Sequence, residues 1–346
     1  MKRSKIASRG ISGSLRNQWL SFSITNTFPA WFGYSWRSPR RDPLPTSGTE
    51  KGKPLHWLIL HGVLRPNQNW ARAIALYSEG GPLLAWFADQ AAIEPKHWRI
   101  VRRFLLEPPV TRSPTTDLAM VFCACAWIAR TGMAWKKLPP IFPPPSTVHY
   151  WWMRWSEMDE FGHSKWDYAM WTLAKKLRKL SRKSGFPSSL RLDSQSIKAS
   201  ASARESGFDP AKKIKGIKRT IVVDCWGLPW SVRVDPGDHQ ERAAAYHALC
   251  KLPFSTERVL HLVVDGGYAG ISFEEAVDGI CPDVEIETPR RPKGEFVLAK
   301  RRWVVERTFA WLAGFRRLDV NRERTCRSAR EMLVFCLVLF MLANVG

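Results

Sequence analysis

The chain is 346 residues long and 45% hydrophobic, enough for a sizeable core in one domain with a smaller companion, or in two or three domains. Its 53 lysines and arginines against 31 aspartates and glutamates give a formal net charge of +22, which points to a polyanionic partner, most often nucleic acid. Seven scattered cysteines with no CxxC pair suggest neither a zinc module nor a disulfide framework, so reduced thiols in a cytoplasmic protein are expected.

Residues 1–88 carry Pro, Gly, Ser and six of the 18 tryptophans without sustained period. They read as an irregular segment outside the folded domains, either disordered or translated from a start upstream of the true one. The N-terminus has charge but no apolar stretch of a secretory signal. Periodicity begins near residue 95, where HWRIVRRFLL (97–106) places Trp98, Val101 and Leu105 on one helical face. SPTTDLAMVFCACAWIARTG follows, with Thr115 or Thr116 as N-cap and Gly132 as stop. Its middle is apolar nearly all round and predicts the buried central helix of a small bundle. A proline-rich turn leads to Ser146 as the next cap, then to a helix bearing His149, Tyr150, Trp151, Trp152, Arg154 and Trp155. Another helix is predicted over roughly 164–183. Residues 89–186 thus form an all-α segment. Its aromatic-basic helix reads either as a helix-turn-helix reader of duplex DNA or as a bundle whose aromatics are core.

From residue 187 the texture changes to short β-branched runs bounded by turn residues: SLRLDSQSIKA, IKRTIVVDCW, LPWSVRVDPG, RVLHLVVDGGYAG and DVEIETPRR. QERAAAYHALCK and FEEAVDG between them read as helices, and a long helix is predicted from about 297. Residues 187–346 therefore predict an α/β domain. The apolar run at 332–345 falls short of the ~18 residues of a membrane span, and a buried terminal helix is expected there.

Three strands are predicted to end in an acid: Asp193, Asp224 and Asp265. A buried carboxylate needs a counter-charge, and Mg²⁺ prefers such hard oxygen ligands. Two carboxylates from neighbouring strands, with Glu306 from the late helix, could hold two ions about 3.5–4 Å apart, an arrangement suited to phosphodiester chemistry. Each acid also has a structural alternative. Asp265 before Gly266 and Gly267 can start a turn, Asp193 can cap the SQS turn, and Asp224 can sit in a hairpin turn. Asp235 and Asp238 read as turn and helix-cap residues. Glu306 can pair with Arg302 four residues earlier.

The ordered motifs RLDSQSIKA, KKIKGIKRTIVVDCWGLP, VVDGGYAG and RRWVVERTFAWLAGFRRL resemble the DDE transposases of bacterial insertion sequences, specifically the insertion-sequence-five family. The resemblance covers about residues 92–345, since IARTGMAWKKLPPIFPPPSTVHYWWMRW is similar to that family's helical N-terminal segment. It implies an RNase H-like catalytic domain, with a mixed central sheet flanked by helices, and a triad of Asp193, Asp265 and Glu306 holding two Mg²⁺ or Mn²⁺ ions. Asp224 matches a strand aspartate outside the triad. Arg301, Arg302, Arg307, Arg316, Arg317, Arg154, Lys215, Lys218 and Arg219 are expected to meet DNA. Ser194 and Ser196 are expected not to act as nucleophiles. In the signature around Glu306, Arg302 fits, whereas Ala299 and Ala313 stand at the tyrosine and lysine positions.

The implied activity is binding of terminal inverted repeats, followed by metal-dependent strand cleavage and transfer. The partners implied are duplex DNA and further copies of the chain assembled on it, with no membrane, in the cytoplasm at the nucleoid. Two other classes fit the same motifs: a metal-dependent nuclease without a joining step, and a catalytically silent DNA-binding relic or repressor.

Overall fold

A computed structural model describes residues 95–106, 116–268, 270–288 and 303–345, all within one compact unit. Residues 1–88, Arg301 and Arg302 lie outside the described residues. Four helices come first: α1 (Pro95–Leu105), α2 (Leu118–Thr131), α3 (Pro145–Trp155) and α4 (Lys165–Leu180). α2 is buried along nearly its whole length, as its all-round apolar sequence predicts. Its N-cap is Asp117 rather than a threonine. The Asp117 Oδ1 accepts the Ala119 and Met120 N–H groups at 2.9 and 3.4 Å, satisfying two donors that open every helix. Gly132 ends it at φ 70°, and a Cβ there would press on the Arg316 carbonyl. α3 starts two residues earlier than a Ser146 cap predicts, because Pro145 has no N–H to leave unsatisfied at the first turn. Ser146 therefore lies inside the helix.

The tryptophans of α3 belong to the core, with Trp151 partly buried against it. Trp152 and Trp155 are buried, and both pack on Trp166 of α4 with ring centroids 5.7 and 5.6 Å apart. His149, Tyr150 and Met153 face outward, with Arg154 half-buried beside them.

The sheet has six strands: β1 (Ser189–Lys198), β2 (Gly207–Asp209), β3 (Ile214–Asp224), β4 (Pro229–Pro236), β5 (His261–Val263) and β6 (Glu285–Glu287). β1 runs antiparallel to β3, from Leu190 opposite Asp224 to Lys198 opposite Gly216. β4 pairs antiparallel with the rest of β3, and β2 pairs with its first three residues. β5 joins β1 in parallel and β6 joins β5 in parallel. Parallel neighbours need crossovers. α5 (Glu241–Leu249) lies between β4 and β5, and α6 (Ile271–Asp278) between β5 and β6. This is a mixed sheet flanked by helices, as expected of an RNase H-like domain.

The predicted long last helix is two helices, α7 (Trp303–Leu312) and α8 (Cys326–Ala343). The chain turns between them because two buried arginines hold the connection. Arg317 pairs with Glu323 at 2.7 Å and donates to the Met133 carbonyl, and Arg219 of β3 donates to the Leu318 carbonyl at 2.9 Å. α8 is the buried terminal helix, and it lies against α4 and β4. Arg330 of α8 ties the three together: it pairs with Asp167 of α4 and donates through Nε to the Val232 carbonyl of β4. One apolar core runs through all of these elements. Among the described residues no helix is long and apolar enough to cross a membrane.

Asp224 is a structural residue. Its Oδ1 accepts the Trp226 and Leu228 N–H groups at 2.8 and 3.1 Å, and Oδ2 pairs with buried Arg178. Asp235 lies in β4, not in a turn, and pairs with Arg233 at 2.7 Å. Removing one partner of a buried pair leaves the other charge stranded. Asp224→Ala is therefore expected to cost about 3–5 kcal/mol in denaturant unfolding; a loss of about 1 kcal/mol or less, the scale of an exposed pair, contradicts this assignment. Glu331, buried beside Arg330 and Asp167, has its carboxyl pKa raised chiefly by burial. The sign follows from the proton count: the folded state holds this proton more tightly than the unfolded state. The contribution is thus full below the ordinary glutamate range and lost as pH rises through the raised value. Glu331→Gln should flatten the decline in stability as pH rises above the ordinary glutamate range; an unchanged slope contradicts the assignment.

Candidate active site

Asp193 does not end its strand. It is the fifth residue of a ten-residue β1, which continues to Lys198 along β3. What ends near it is the pairing with β5, which covers only Ser189–His261, Leu190–Leu262 and Arg191–Val263. Asp193 stands two residues past the last parallel pair on β1, and Asp265 stands two residues past it after β5. The register therefore sets the two aspartates level at the point where the strands part, each half-buried. Their local contacts match: Asp193 Oδ1 accepts the Ser194 N–H at 2.8 Å, and Asp265 Oδ1 accepts the Gly266 N–H at 2.7 Å.

Asp265 opens the 3₁₀ turn Gly266–Tyr268, with its carbonyl accepting the Tyr268 N–H at 2.9 Å. The turn buries Tyr268, whose hydroxyl lies 2.9 Å from Ser194 Oγ; Ser194 Oγ in turn lies 2.8 Å from Thr220 Oγ1 of β3. Burial pushes the Tyr268 phenol pKa up. The Ser194 hydrogen bond opposes this, and the negative charges of Glu241, Asp193 and Asp265 add to it. Both aspartates thus act electrostatically on one buried phenol. Sequence reasoning singled out neither Tyr268 nor Glu241, which lies in the first turn of α5. The tyrosine sits within the VVDGGYAG motif, but nothing in a sequence states that its hydroxyl turns back to β1.

Glu306 lies in the first turn of α7, half-buried, and α7 packs against β1 and β3. The β3–β4 turn seats the helix. Thr308 Oγ1 donates to the Gly227 carbonyl and Arg307 to the Trp226 carbonyl, both at 3.0 Å. Gly227 has φ 83°, and a Cβ there would strike Thr308 Oγ1. This glycine permits both the turn and the close approach of α7. The helix carrying Glu306 is thereby held on the strand carrying Asp193.

All three acids offer hard carboxylate oxygens from half-buried positions, the donor chemistry that suits Mg²⁺ or Mn²⁺. Among the described residues, three groups able to ligate a metal come within 4.8 Å of one another only at His261, Glu285 and Glu287. Those lie on β5 and β6, with His261 four residues of chain before Asp265. His261 Nδ1 is 3.2 Å from Glu285 and 3.5 Å from Glu287 there. Asp193, Asp265 and Glu306 are spread more widely.

The basic residues expected at DNA sort into two groups. Lys218, Arg219 and Arg317 are buried and engaged within the fold. Lys218 donates to the His239 carbonyl and lies 3.3 Å from Glu241, while Arg219 and Arg317 hold the α7–α8 connection as described. Arg307 is likewise used internally. Its guanidinium sits 4.5 Å from the Trp303 ring and 4.8 Å from the Trp311 ring, and burial lowers its pKa to about 10. A sequence shows these residues as charges on a strand or helix and cannot show what packs over them. Lys215 and Arg316 are exposed, and Arg154 is half-buried.

A family model described as "Transposase DDE domain" matches residues 184–342. A second, described as "Putative transposase of IS4/5 family", matches residues 93–163. No curated protein matches the chain. The two models fall in chain order on the sheet with α7 and α8, and on the helices before it, which gives the sheet its RNase H-like identity. DDE transposase domains use divalent metal ions, and transposases act on DNA. This chain belongs to the DDE transposases of the IS4/IS5 type and is an enzyme of that class.

Proposed function

We propose that the protein binds the terminal inverted repeats of an insertion sequence and catalyses strand cleavage and strand transfer at Asp193, Asp265 and Glu306. The observation that carries this reading is the level placement of Asp193 and Asp265 where β1 and β5 part. α7 brings Glu306 to the same strand. The three carboxylates would hold two Mg²⁺ or Mn²⁺ ions, whose charge would offset the negative charge that develops on phosphate and leaving oxygen.

The protein's own part is placement. The scissile phosphodiester lies over the parted strand ends. A water oxygen bonds to phosphorus as the bond to the 3′-oxygen breaks, and that oxygen leaves with a proton from solvent. The freed 3′-hydroxyl then attacks a target phosphodiester in the same in-line manner, releasing the target's own 3′-oxygen. Holding the reactants in this geometry supplies most of the acceleration. No covalent enzyme intermediate is required. Ser194 and Ser196 are used elsewhere, Ser194 with Thr220 and Tyr268 and Ser196 with Asp209.

The helices of residues 89–186 serve as the DNA-binding part, and residues 187–346 as the catalytic part. Exposed His149, Tyr150 and Met153, with Arg154, form the helical face offered to DNA. Lys215 and Arg316 contribute phosphate contacts. Joining two ends requires at least two protomers, so the active form is a homo-oligomer on DNA, acting in the cytoplasm at the nucleoid.

Asp193→Asn, Asp265→Asn and Glu306→Gln should each abolish cleavage of end-bearing duplex while leaving duplex affinity near wild type. Retained cleavage removes that residue from the site. A product of cut but never joined strands would assign the chain as a nuclease instead. Affinity should fall steeply with salt. Lys215→Ala and Arg316→Ala should each reduce the slope of log affinity against log salt by about 0.9, one phosphate contact apiece; an unchanged slope excludes that contact.

A further inference from the structure

The parallel ladder between β1 and β5 stops at Arg191 and Val263, so the spacing of Asp193 and Asp265 beyond it must be set by other contacts. One contact spans that gap. Ser194, the residue after Asp193, meets the Tyr268 hydroxyl at 2.9 Å, and the Tyr268 N–H is bonded to the Asp265 carbonyl. Thr220, directly opposite Ser194 in the β1–β3 register, holds the serine from behind at 2.8 Å. The tyrosine ring is buried and packs on Phe273 of α6, with centroids 5.6 Å apart. Gly266 and Gly267 have no neighbours within 4 Å of where a Cβ would stand, so crowding at these two positions does not hold this turn in place. Arg242 Nε donates to the Gly267 carbonyl at 3.3 Å from α5, and the phenol ties the turn to β1.

We propose that Tyr268 is a positioning residue for strand cleavage: the hydroxyl chain Thr220–Ser194–Tyr268 fixes the separation of Asp193 and Asp265, and thereby the affinity of the site for divalent ions. The inference rests on the reading of those two aspartates as metal ligands. Groups that orient metal ligands without touching the metal commonly govern affinity by about 10-fold to 100-fold when removed. Tyr268→Phe deletes one oxygen and keeps the ring that fills the core. Ser194→Ala deletes the same contact from its half-buried end.

The test uses the full chain bound to duplex carrying the element's end. Mn²⁺ affinity is measured by titration calorimetry, and cleavage is followed against Mn²⁺ concentration. Tyr268→Phe and Ser194→Ala should each weaken Mn²⁺ binding by about 10-fold or more and raise the half-saturating Mn²⁺ for cleavage in parallel, with duplex affinity unchanged. The double variant should be no weaker than the worse single one, since both changes break the same contact. Wild-type Mn²⁺ affinity in Tyr268→Phe, with Asp193→Asn deficient, overturns this inference alone. Wild-type Mn²⁺ affinity in Asp193→Asn overturns the metal-ligand reading and the inference with it. Should Tyr268→Phe fail to fold, Ser194→Ala decides by the same criterion.

Discussion

Three residues of parallel pairing between β1 and β5 set the geometry of the candidate site. Had the ladder continued, Asp193 and Asp265 would sit within a closed sheet, where backbone pairing and neighbouring side chains would crowd them. Because it stops after Arg191 and Val263, both acids stand level at a parting of strands, the kind of crevice at strand ends where open α/β sheets bind their ligands. β1 continues past this point only because β3 still pairs with it as far as Lys198. That antiparallel partner keeps Asp193 on a rigid strand while its other edge opens. The turn after β5 is returned to β1 by the Tyr268 hydroxyl, and α7 is pressed onto the same strand through Gly227 and Thr308.

A second theme is the fate of the positive charge. The net charge of +22 points to a polyanionic partner, yet several cations serve the interior. Arg178 holds the β3–β4 turn through Asp224, Arg330 joins α4, α8 and β4, and Arg219 and Arg317 secure the α7–α8 connection. The arginines use several planar donors at once, which is why they bridge elements where a lysine would satisfy fewer partners.

Local signals made much of this legible in the sequence. Gly132 marked the end of α2, the all-round apolar pattern marked its burial, and short β-branched runs bounded by turn residues located every strand except the three-residue β2. The motifs around Asp193, Asp265 and Glu306 carried the family. Signals that depend on tertiary packing were not legible. Asp193 read as a strand end because its neighbours Leu192 and Ser194 change polarity, whereas the relevant boundary is where β5 leaves. The single helix expected from 297 is two, since the break is enforced by Arg219 and Arg317 from within the fold. Lys218 and Arg219 read as phosphate contacts because their burial comes from α5 and from the α7–α8 connection, far away in the chain. The aromatic residues of α3 left core and surface open; its tryptophans pack in or against the core, while His149 and Tyr150 face outward.

The central claim is that Asp193, Asp265 and Glu306 form one divalent-cation site. Anomalous diffraction from crystals grown with Mn²⁺ and end-bearing duplex tests it most directly. The account predicts manganese peaks in contact with carboxylate oxygens of Asp193 and Asp265, with Glu306 completing the set. Manganese bound only at His261, Glu285 and Glu287, with none at the two aspartates, would contradict it.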